Sequence, residues 1–147
     1  MFKKLISLFG GSSSPTGPSL TTEQKQALWM TPMELMGASM GTVISVGSSG
    51  AKTHQVSKET AEWAKPIVDV LARASRQAEA GRFDEAIKSF KLVLNDAPEA
   101  PIALMSIGCC YGGQRNKSEA LKWLKRALKS DPGNSRITGN IEAVNEM

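Results

Sequence analysis

The chain has 147 residues and a mass of 15.7 kDa, room for one ordinary domain or for a smaller one with a long arm. Its 41% apolar and 22% charged residues exclude wholesale disorder, and 5% aromatics argue against a stacking surface for single-stranded nucleic acid. A net charge of +4 fits contact with anionic lipid or an acidic partner but falls short of the clustered charge of a nucleic-acid binder, so no nucleic acid is expected among its partners.

Residues 1–9, MFKKLISLF, are basic and apolar. At the turn of an α-helix, Phe2, Leu5, Ile6, Leu8 and Phe9 share one face, and Lys3, Lys4 and Ser7 share the other. That is the pattern of a short interfacial helix, apolar face in the lipid boundary and lysines on anionic headgroups. The same face would suit a groove on a protein. The apolar core is too short to span a bilayer or to serve as the h-region of an export signal. The chain therefore reads as cytoplasmic, peripheral to a membrane through its N-terminus. Residues 10–19, GGSSSPTGPS, read as a flexible linker.

Residues 20–65 form a variable arm. Thr21-x-x-Gln24 and Thr31-Pro32-x-Glu34 read as capping boxes that open two helices. The second helix carries Met33, Met36 and Met40 along one stripe, which fits core filling or an adaptable contact surface. Residues 41–50 fit a short strand or an extended segment. Ser57 can cap a helix through Ala61, Trp63 and Ala64, with Pro66 in the first turn of the next helix and Trp63 covering that helix's open side.

Residues 66–147 are helical and repeat internally. An offset of 34 residues pairs Pro98 with Pro132, Ala86 with Ala120, Glu85 with Glu119, Leu94 with Leu128 and Phe90 with Leu124. The second unit runs Leu104-x₂-Ile107-Gly108-x₂-Tyr111, then Ala120-x₃-Leu124, then Pro132; the first contains Ala86-x₃-Phe90 and Pro98. This pattern resembles the tetratricopeptide repeat, over about residues 67–134. The first helix of unit one departs from it, with Val70, Arg73, Ala74 and Gln77 where Trp, Leu, Gly and Tyr are usual. The spacing predicts helices over 68–80, 84–96, 102–114 and 118–130. A capping helix over 135–145 carries Ile137, Ile141 and Val144 on one face. Ala120 should stand where the two helices of unit two approach most closely.

The resemblance implies an all-α fold, a short solenoid that holds a protein segment on the first helices of its repeats. The matching positions are Val68, Leu71 and Ser75 in unit one and Ile102, Met105, Cys109 and Gly112 in unit two. They are apolar or small and lack the Lys and Asn clamp with which some members hold a C-terminal carboxylate. They suit an apolar or helical partner segment, or a cover supplied by the chain's own arm.

Chemistry has little to work with. His54 is the sole histidine, and Cys109-Cys110 lack metal-ligand or redox spacing, so no metal, cofactor or catalytic residue is expected. The two cysteines read as free thiols, small hydrophobes in a reducing compartment. Asp84 and Glu85 belong to a turn and a helix start, and Ser45, Ser48 and Ser49 have no base beyond His54. Lys122, Lys125, Arg126 and Lys129 fall on one arc opposite an apolar stripe, the pattern of a solvated face. The expectation is a non-enzymatic adaptor or scaffold subunit at the cytoplasmic face of a membrane. The alternative is a soluble assembly or secretion chaperone holding an apolar client.

Overall fold

The computed structural model describes residues 20–39 and 56–147. The proposed anchor, the linker, Met40, residues 41–55 and His54 lie outside them. Seven helices and no strand are found among the described residues: α1 Thr22–Leu28, α2 Pro32–Ser39, α3 Lys58–Glu79, α4 Phe83–Asp96, α5 Pro101–Gly113, α6 Lys117–Ser130 and α7 Ser135–Asn145. The fold is all-α. Consecutive helices from α3 to α7 pack as antiparallel neighbours, and α1 and α2 both pack on α3.

The boundaries themselves repeat at the 34-residue offset: Glu79 and Gly113 end α3 and α5, Phe83 and Lys117 open α4 and α6, and Asp96 and Ser130 close them. Each boundary from α4 onward lies within a residue of its expected place. Burial explains the elements. Ala86, Ile87, Phe90 and Val93 turn the inner face of α4 to the core, and Ala120, Leu124 and Ala127 do the same in α6. Full burial of a side chain as large as Phe90 or Leu124 contributes about 1.5–3 kcal/mol. Helix α5 has no charged residue and is apolar on all sides, because neighbours surround it. It meets α6 at Gly108, where a Cβ would lie 2.7 Å from Leu124 Cγ and 3.1 Å from the Ala120 carbonyl oxygen. Ala120, fully buried, is thus at the close approach the sequence predicts.

Three readings change. Helix α3 is one continuous helix from Lys58, and Pro66 lies inside it rather than opening a second helix. An internal proline costs roughly 3 kcal/mol. The stripe of Ala61, Ala64, Ile67, Val68 and Leu71 is buried on both sides of it and outweighs that loss. Trp63 is therefore part of the helix it was expected to cover. The cover comes from Ala27 and Leu28 of α1 and Leu35 of α2, which join the core cluster of α3 and α4. Finally, the methionine stripe of α2 is not core: Met33 is 76% and Met36 46% exposed, while Leu35 is fully buried.

Both capping boxes form. Thr21 Oγ1 accepts from the Gln24 N–H while the Thr21 N–H donates to Gln24 Oε1. Thr31 and Glu34 do the same. The arm is also tied at a distance. The Ser57 N–H donates to Glu23 Oε1, and Lys25 Nζ donates to the Ser130 carbonyl oxygen at 2.7 Å. Trp29, between α1 and α2, packs on the cluster of Leu104, Met105 and Ile137, with the Arg136 guanidinium 4.9 Å from its ring centre. The arm thus reaches from α3 to the first turn of α7.

A candidate binding cleft between the repeats

The first helices of the two repeats, α3 and α5, bound a cleft of ≈ 330 Å³ with the start of α4. Ser75 and Cys109, one repeat apart, line it from equivalent positions, with Phe83, Phe90, Ser106 and Cys110. Ala78 and Glu79 complete the lining, and Glu79 is the one charged residue in it. The phenyl ring of Phe83 sits against Gly113, where a Cβ would come within 2.5–3.0 Å of the ring. The glycine therefore makes room for an aromatic wall.

The thiols of the cleft are held in their neutral form. Burial pushes the Cys110 thiol up to about 11, reinforced by the neighbouring Cys109, and desolvation raises Cys109 as well, against the pull of Arg136. Both thiols are free and uncharged near neutral pH, so neither is a ready nucleophile. Ser75 and Ser106 bring hydroxyl groups to the lining. Among the described residues, no group of three or more His, Cys, Asp and Glu side chains is placed to hold a metal ion. Asp96 stands apart from the cleft; burial of its carboxylate, unpartnered among the described residues, pushes that group up to about 6.

The seven residues singled out in the sequence divide by position along their helices. Val68, Leu71 and Met105 are buried, and Ile102 is half-buried. These four lie in the half of the row that the arm seals: Ala27, Leu28 and Leu35 join the cluster of Val68 and Leu71, and Trp29 that of Met105. Ser75 and Cys109 lie in the open half and are exposed. Gly112 is half-buried and faces α7, with the Val144 side chain 3.6 Å from where its Cβ would stand. Phe83 and Phe90 escaped the sequence reading because they belong to α4, a second helix. The Gly112-Gly113 pair was the available signal for Phe83, since a bare backbone at a helix end invites an aromatic neighbour. Phe2, Lys3, Lys4, Leu5, Ile6 and Phe9 lie outside the described residues.

No described helix is long and apolar enough to cross a membrane. No curated protein matches the chain. A family model described as tetratricopeptide repeat matches residues 71–135. That match, the 34-residue period and the helix boundaries that follow it make residues 71–135 a pair of tetratricopeptide repeats, a protein–protein interaction module.

Proposed function

We propose that the chain is a non-enzymatic adaptor or scaffold subunit, cytoplasmic and peripheral to a membrane, whose cleft takes apolar side chains from a helical segment of another protein. The observation that carries this reading is the division of the α3–α5 row. One half already holds short helices, with Leu28 and Leu35 inserted from the arm. The other half is an open, apolar cleft of ≈ 330 Å³ beside it, at the small end of the range for binding pockets. A surface that packs one amphipathic helix suits a second. Residues 1–9, by their amphipathic sequence, supply the membrane contact, and residues 10–19 give it reach.

Pull-down with the full-length chain, with and without detergent, tests the adaptor reading. Cys109→Trp would fill the cleft from an exposed position. A partner retained in fixed ratio by the wild type and lost by a normally folded Cys109→Trp variant is the expected result. Equal retention by the two would remove the cleft from the reading. A variable ratio would favour the chaperone alternative, since a chaperone releases its client while a subunit keeps its partner.

A further inference from the structure

We propose that the outward face of α4 and α6, marked by Lys88, Lys125 and Lys129, lies against an anionic membrane surface; this rests on the reading that residues 1–9 are the membrane anchor. The 34-residue period repeats more than the core. It sets Lys88 and Lys91 of α4 in register with Lys122 and Lys125 of α6. All four are exposed, as is Lys129, so packing does not demand them.

The acids of this face are already engaged. Asp84 accepts from Gln114 Nε2 at 2.7 Å, and Glu85 pairs with Arg82 at 3.2 Å. Glu119 accepts from Trp123 Nε1 and pairs with Lys122, and Glu99 pairs with Arg126. Asp96 has its carboxylate oxygens buried. Lys91 lies 5.5 Å from the centre of the Trp123 ring. Lys88, Lys125 and Lys129 have no acidic partner within 4.0 Å among the described residues. On α4, four residues from Lys88, Leu92 is 55% exposed. An exposed apolar side chain one turn from an unpaired lysine matches headgroups over acyl chains better than it matches an acidic protein surface.

The route of the chain supports the same occupant. Lys25 holds α1 on the Ser130 carbonyl oxygen at the C-terminal end of α6, one residue beyond Lys129. The 19 residues that precede Leu20 start from this helix, within two turns of that contact. The chain that leads to residues 1–9 thus joins α1 near the Lys129 end of the lysine face. The anchor alone is marginal, and a second, electrostatic contact is what such an anchor needs.

The test is co-sedimentation of the full-length chain with vesicles of phosphatidylcholine alone or with added phosphatidylserine, at low and high salt. Each lysine near the anionic surface is worth roughly a fivefold change in partition. The triple reversal Lys88→Glu, Lys125→Glu and Lys129→Glu should weaken binding to anionic vesicles by at least about 100-fold at low salt, with an unchanged thermal melt. The same three changed to Arg should bind as the wild type. Equal sedimentation of the Glu triple and the wild type overturns the lysine face and leaves the anchor standing. Loss of binding in the Arg triple as well overturns it too, because charge alone would not be the cause. Phe2→Ser with Phe9→Ser sedimenting as the wild type overturns the anchor. No sedimentation of the wild type with phosphatidylserine vesicles overturns both.

Discussion

Gly81 and Arg115 hold the same place in successive turns, 34 residues apart, and both have left-handed backbone, at φ of 79° and 63°. The hydrogen bonds repeat with them: Gly81 N–H to Ala78 and Arg82 N–H to Gln77 in one turn, Arg115 N–H to Gly112 and Asn116 N–H to Tyr111 in the other. The turn thus requires this backbone, and a Cβ there costs roughly 1–2 kcal/mol. A stiffer unfolded chain offsets about 0.4–1 kcal/mol of it. Nothing lies within 4 Å of a Cβ placed on Gly81, so the backbone term stands alone. Gly81→Ala should therefore lower stability by about 1 kcal/mol, and Arg115→Gly should leave it equal or raise it by up to about 1 kcal/mol. Urea midpoints at unchanged slope measure both. A Gly81→Ala midpoint equal to the wild type's would contradict the turn assignment.

Between elements, the tightest contact is the α5–α6 approach at Gly108, Ala120 and Leu124. Ala120→Leu adds three heavy atoms beside a backbone with no room for even a Cβ on Gly108. Overpacking of this kind costs about 1–3 kcal/mol. A thermal melt unchanged within error would place the close approach elsewhere. This contact was legible in the sequence, because a small residue held at one phase of a repeat has few explanations besides crowding. So were the capping boxes, whose donors and acceptors are three residues apart. What was not legible depended on distant chain. Pro66 has the same local signature at a helix start as inside a helix, and only the buried Ala61 and Ala64 before it decide between them. Met33 and Leu35 are both apolar neighbours in a short helix; the face that meets α3 is set by the packing partner, not by α2. The open cleft was half legible. Ser75 and Cys109 follow from the period, whereas Val68 and Leu71 are sealed by an arm whose docking no periodicity announces.

At the scale of the molecule, two repeats fall short of the three or so that usually bury a continuous core. The arm makes up the difference at one end and α7 at the other. Trp29 is half-buried, so Trp29→Ala should cost roughly 2 kcal/mol, about half the loss at a fully buried aromatic, and should also remove the stacking of Arg136. A chemical melt that does not shift would show that the arm adds nothing to the fold. The tie between Glu23 and Ser57 gives the arm a pH dependence. The Ser57 backbone N–H, donating to Glu23, holds that carboxyl below its ordinary value of 4.5. The contact therefore contributes fully above that value and is lost as pH falls through the lower, folded-state value. The melting temperature of Glu23→Gln should trail the wild type's at neutral pH, and the gap should close on acidification below 4.5; a gap independent of pH would discount the tie. The unbroken course of α3 has a mechanical consequence. Its 22 residues make a rod of roughly 33 Å, with the arm's tie at Ser57 by one end and the wall of the cleft near the other. No loop intervenes to absorb a pull. A force drawn on the arm would turn this rod as a lever, and the torque would arrive at Ser75 as a change in the width of the cleft.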